Sequence, residues 1–256
     1  MNFLRFLLPY SYFYASRVQK IKYFIYWLVT DWAVPGALLL HFSGFAWLSS
    51  AGHFLLGYLA FISIYEIGYF GNDVYSTRHE ENPRLRVPDF RPSVPQIGLL
   101  IAGRLLVFGL ITWHLDLFDS LTWWGFYAVL GLFFYLHNVL KDKQLKIMTF
   151  ITLALARYLA PIFIFLRPDQ LALILAPVLL NYVFYRTLMY MDSKGLTNMP
   201  TRTAPSAKVN YYLLAFGPST LLALMTHSWL PLTITAYYLL LWSAVKASGQ
   251  QPPQTD

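Results

Sequence analysis

Charged residues in this chain come in bursts. Between the bursts lie apolar runs of about twenty residues, the length a helix needs to cross a bilayer. That alternation limits the fold more than any other feature. Eight such runs are read at roughly 22–41, 53–71, 96–114, 121–138, 145–166, 170–190, 209–226 and 229–246. Only 12% of the 256 residues are charged, against about 25% in soluble domains. The expected fold class is all-α, a polytopic membrane helical bundle. Asp31 and Pro35 interrupt the first run, which predicts a kink or a face turned toward a cavity.

The loops carry an orientation signal. The N-terminal arm, the loops after runs two, four and six, and the C-terminus hold 16 of the 19 Lys and Arg residues. By the positive-inside bias, both termini and the polar loops are expected in the cytoplasm. This explains the net charge of +7 without nucleic acid, which is not an expected partner. The arm, Met1 to Lys22, is apolar and aromatic with scattered basic residues and no small-residue cleavage site. It reads as an interfacial helix rather than a removed signal peptide. Residues 1–247 are expected to form a single domain, and 248–256 a disordered tail rich in Gln and Pro. With no Cys in the chain, disulfides and zinc–thiolate sites are excluded.

Chemistry is expected where an apolar run ends in a dense polar cluster. Run two does so, with Glu66, Tyr69, Asn72, Asp73, Ser76 and Glu80. Were 66–80 one regular helix, these residues would share a stripe of hard oxygen ligands suited to Mg²⁺. Run six ends in Arg186, Asp192 and Lys194, a carboxylate flanked by donors for phosphate. Run four ends in Tyr135, His137, Asn138 and Lys141. Arg104 and Arg157 fall inside runs, where a lone charge costs about 2.5–3.5 kcal/mol. Each is therefore expected to be paired or to face a polar cavity, and Glu66 and Asp31 are the candidate partners. The six His residues show no metal-ligand spacing.

Asn72-Asp73 at the end of run two, followed by Glu80, Pro83 and Arg84, resembles the first motif of the UbiA superfamily of intramembrane prenyltransferases, written NDxxDxxxD. Asp192-Ser193-Lys194-Gly195 resembles the tail of that family's second aspartate motif, and Tyr135 to Lys141 its Tyr/Lys stretch. Ser76 and Glu80 stand where the first motif has its second and third Asp, and Leu188 stands where the second motif opens with Asp. The resemblance implies eight to nine transmembrane helices around a central cavity. It implies Asp73 and Asp192 as catalytic residues, and Asn72, Asp73, Glu80 and Asp192 as Mg²⁺ ligands. Substrate would be bound by Asn72, Lys141, Arg78, Lys194, Tyr135 and Arg157. The implied substrate is a polyprenyl (di)phosphate lipid, whose prenyl group passes to a small acceptor in a bacterial inner membrane. One branch of the superfamily instead moves phosphoribose from phosphoribosyl diphosphate to polyprenyl phosphate. The Asn-Asp-Val opening, with Pro83, Arg84 and Arg86, is similar to that branch. A transporter and a non-catalytic binding or scaffold protein are the readings of other classes.

Overall fold

The computed structural model describes residues 3–75, 86–87 and 90–249, and within them the protein is all-α. A short helix, α1 (11–18), is followed by α2 (Ile21–Phe42), α3 (Trp47–Asp73), α4 (Val94–His114), α5 (Leu121–Val139), α6 (Leu145–Leu159), α7 (Pro168–Ser193), α8 (Pro205–Thr226) and α9 (Leu230–Ala247). Local chemistry sets the ends. Ser93 and Gln96 form a capping box at the start of α4, and the Ser120 hydroxyl accepts from the Trp123 amide at the start of α5. Gly195, at φ +72°, takes the left-handed conformation just past α7. Pro161 stops α6 early.

Five of these helices, α2, α3, α4, α7 and α9, are long and apolar enough to cross a membrane among the described residues. The protein is therefore helical and membrane-associated, but the expected eight-to-nine-span bundle is not what it shows. The shortfall lies in α5, α6 and α8. Helix α6 has only 15 residues, about 22 Å at 1.5 Å per residue, against a hydrocarbon core of about 30 Å. Helix α5 is diluted by Trp123, Trp124, Tyr127, Tyr135, His137 and Asn138, and α8 by Lys208, Asn210, Tyr211 and Tyr212. Two clusters rich in aromatic side chains pack the described interior. One aromatic cluster joins α1, α3, α4 and α5 through Phe13, Tyr58, Phe61, Tyr65, Phe108, Trp123 and Phe134. A second joins α2 and α6 to α9 through Leu38, Tyr158, Ile174, Tyr212, Tyr238 and Trp242. Of the expected tail, Ser248 and Gly249 form a turn and the rest lies outside the described residues.

Two prolines reshape the helices that carry charge. Pro35 and Pro177 have no N–H to give, and near each the ladder widens into a π-helical turn, at Leu28–Trp32 and Leu179–Val183. Consecutive tyrosines on neighbouring helices cover the carbonyls there. The Tyr237 and Tyr238 hydroxyls donate to Val29 O and Thr30 O at 2.6 and 3.1 Å. Those of Tyr211 and Tyr212 donate to Leu180 O and Asn181 O. The interruption expected at Asp31 and Pro35 is thus a π-helical turn held by α9.

Glycine matters most at 57, where an added Cβ would lie 2.6 Å from the Pro161 carbonyl oxygen, a backbone atom that cannot step aside. Gly52, one and a half turns earlier, faces open space. Gly57→Ala should therefore lower the thermal midpoint in detergent well below that of Gly52→Ala. Equal midpoints would show that α3 does not pack this closely on the Pro161 turn.

Candidate functional site

The site begins where α3 ends. The α-helical ladder runs to Phe70 and then widens into a π-helical turn, Gly71–Tyr75. Of the expected stripe, Glu66, Tyr69 and Asp73 all meet the N-terminal arm, through the Phe13 amide, the Phe13 ring and the Tyr12 and Arg17 side chains. Glu66 turns inward, fully buried. It pairs with Arg104 at 2.8 Å and accepts from the Phe13 amide at 2.7 Å. Asp73 turns toward the N-terminal arm. Arg17 grips it with two hydrogen bonds of 2.9 and 3.1 Å, Tyr12 donates at 3.0 Å, and Asn72 donates at 3.0 Å. Arg86 stands 4.0 Å away. Ser76, Arg78 and Glu80 lie outside the described residues.

Helix α5 links this end to α7. The Asn138 amide donates to Gly68 O at 3.4 Å, while its neighbour His137 bonds Thr149 Oγ1 at 2.8 Å and lies 5.9 Å from the Tyr190 ring. Tyr190 stacks on Phe150 at 4.3 Å. Two residues further, Asp192 accepts from the Met199 amide at 2.6 Å and pairs with Arg202. The ends of α3, α5 and α7 therefore share one end of the bundle, with α5 between the two aspartates. Lys141 and Lys194 are exposed in the loops there, Lys194 lying 5.5 Å from the Tyr190 ring. Tyr135 is 63% exposed on the outer face of α5, away from the aspartates.

Arg157 belongs to a second polar cluster. Asp31, on the π-helical turn of α2, gives one carboxylate oxygen to Arg157 at 2.9 Å and the other to Arg186. Lys208, from the first turn of α8, packs beside it. Its ammonium sits 3.4 Å over the Trp242 ring and donates to the Tyr26 hydroxyl at 3.2 Å. Between the two clusters stand Phe13 and Tyr69, stacked at 6.1 Å. Arg17 lies over Tyr69 at 4.3 Å on one side, and Arg157 over Phe13 at 5.5 Å on the other.

Mg²⁺ needs carboxylate oxygens free to face it. Arg17, Tyr12 and Asn72 already use both oxygens of Asp73, and Arg202 and the Met199 amide hold Asp192. Among the described residues no three His, Asp or Glu side chains are grouped as a metal ion requires. As they stand, the described members of the expected ligand set do not fit a divalent ion.

No protein-family model, curated protein or solved structure matches this chain.

Sequence reasoning missed Arg17, Tyr12 and Lys208. Arg17 read as one more positive-inside charge, and only the fold brings the arm to α3. Lys208 carried a signal of a kind, since it is followed by the Tyr211-Tyr212 pair on an otherwise apolar helix. Burial, and then the charge of Arg186, push the Lys208 ammonium from its ordinary 10.5 down to about 7, while Asp31 acts the other way. Between those values the unfolded chain carries a proton that the folded one has lost, so stability rises with pH there. The thermal midpoint of the wild type should climb between pH 7 and pH 9 relative to Lys208→Met, which removes the group. Parallel curves for the two proteins would show that Lys208 keeps its proton in the fold.

Proposed function

We propose that this membrane protein is a transferase acting on a polyprenyl phosphate or diphosphate, passing the prenyl group to an acceptor at the polar end of its bundle. The observation that carries this reading is the meeting of the α3, α5 and α7 ends, whose residues bear the family resemblance. Arg17, Arg86 and Arg202 stand beside the two aspartates, and a guanidinium matches phosphate oxygens with a planar fork of donors. The bond from the prenyl C1 to the diphosphate oxygen breaks, and the acceptor bonds to C1. Negative charge growing on the leaving diphosphate is what fixed donors stabilise. A phosphate that takes Arg17 away from Asp73 weakens the hold on that carboxylate and raises its capacity to accept the proton the acceptor loses. Lys141, Lys194 and Arg78 remain phosphate ligands by resemblance, and the Mg²⁺ that the same resemblance implies would fit only once phosphate draws Arg17 and Arg202 off Asp73 and Asp192.

Arg86 favours a second reading. It brings one of the basic residues that follow the first motif to 4.0 Å from Asp73. A donor phosphorylated at two separate positions, such as phosphoribosyl diphosphate, would use that extra cation. The setting we propose is a bacterial inner membrane with this polar end in the cytoplasm. The early turns of α2 and the late turns of α9 lie together, Tyr26 and Trp242 at 5.7 Å, which supports termini on one side.

Membranes containing the protein would be incubated with labelled polyprenyl diphosphate plus an aromatic acceptor, and separately with polyprenyl phosphate plus phosphoribosyl diphosphate. Each would be run with Mg²⁺ and with chelator. Product is expected in one pair, and Asp73→Asn and Asp192→Asn should each lower it by at least about a hundredfold. Binding without turnover in either pair, with or without Mg²⁺, would overturn the transferase reading in favour of a scaffold.

A further inference from the structure

The cluster around Asp31 holds more positive charge than its surroundings neutralise. Arg157 and Arg186 bring two cations and Asp31 one anion, and Lys208 adds an amine that a bound anion would hold in its charged form. Lys208 is 4% exposed, and its ammonium meets a neutral hydroxyl and aromatic rings. Among the described residues no carboxylate lies within ion-pair distance of its ammonium. The donors are in surplus too. Each guanidinium offers five N–H groups and the ammonium three. Arg157 has a single carboxylate contact, with Phe13 and Trp27 as its ring neighbours. Arg186 has the same carboxylate and the Tyr182 ring. Buried charge left without a counter-charge is costly, and it is retained where a ligand supplies the balance.

The arrangement is also open enough to be filled. The side chains of Arg157 and Arg186 remain 18% and 28% exposed, while the carboxylate that positions them is 3% exposed. Asp31 thus holds two guanidinium groups in place by one edge and leaves their other N–H groups to a second anion. Three helices present the cations, and the Tyr26, Tyr182 and Trp242 rings frame them.

We propose that Arg157, Arg186 and Lys208, set around Asp31, form an oxyanion site for a phosphoryl dianion, either a phosphate monoester or the terminal phosphate of a diphosphate. A bound dianion would hold Lys208 in its protonated form, so that two net positive charges meet two negative ones, and a tetrahedral phosphoryl group offers several acceptors to donors converging from α6, α7 and α8. The Phe13–Tyr69 stack separates this site from Asp73. Binding here needs no turnover, so the site stands or falls apart from the transferase reading.

The purified full chain in nanodiscs would be titrated with radiolabelled inorganic diphosphate, and separately with a short-chain polyprenyl phosphate, at constant ionic strength set with chloride. Saturable binding of at least one is expected. Lys208→Met and Arg186→Gln should each weaken it by roughly tenfold to a hundredfold, the worth of a charge-assisted hydrogen bond. Arg167→Gln, a charge lost from the opposite end of the bundle, should bind as the wild type does. Lys208→Met leaves both Asp31 ion pairs intact, so it carries the test should Arg186→Gln fail to fold. Binding of inorganic diphosphate assigns the phosphoryl group alone as sufficient, and binding of the lipid alone assigns the site to a lipid head group. Binding of neither ligand, or equal affinity in Lys208→Met and the wild type, would overturn the proposal.

Discussion

An arginine set into an apolar helix needs a carboxylate from a different helix, and that need ties this bundle together. Water is absent there, so a cation must find its counter-charge within the protein. Glu66 and Arg104 join α3 to α4 with both side chains fully buried. Asp31 joins α2 to α6 and α7 at once. Asp73 joins the end of α3 to the arm. Each carboxylate thereby fixes helices that hydrophobic contact alone would leave free to slide, since aromatic side chains pack in many registers.

The same shortage of water governs the backbone. A π-helical turn loosens the regular ladder, and a carbonyl near it profits from a donor. The tyrosine pairs of α8 and α9 supply that donor, which couples the backbone defect in α7 to α8 and that in α2 to α9. Asp31 sits on one of these turns, Asp73 on another and Arg17 on a third. These three charged groups sit where the helix departs from regularity, whereas Glu66, Arg104 and Arg157 lie on regular α-helix.

Much of this was readable in advance, and the limits of the reading have physical causes. That Arg104 and Arg157 require acidic partners follows from the cost of lone charge, and Glu66 and Asp31 are the carboxylates placed to serve. Which takes which is a matter of packing, so only the fold decides it. Asp73 and Asp192 do share one end of the bundle, because helices of alternating direction carry both motifs to it. Glu66, Tyr69 and Asp73 do line one face of α3, but the arm occupies that face, and the π-helical turn at its end leaves no mark in hydropathy. The count of spans failed for a related reason. Apolar composition says that a segment avoids water, but rings and proteins provide refuge as lipid does, so α5, α6 and α8 read as spans without the length or hydropathy of one. The arm's grip on Asp73 is a contact across 56 residues that no local pattern encodes.

That grip has a bearing on how the protein is made. Arg17 leaves the ribosome well before the carboxylate it will hold, and must wait at the membrane surface while α2 and most of α3 are inserted. The aromatic residues around it, Tyr12, Phe13 and Tyr14, suit such a wait, since they rest well among lipid head groups. A fusion partner attached at Met1 would therefore not hang from an idle appendage. It would pull on the strap that neutralises Asp73.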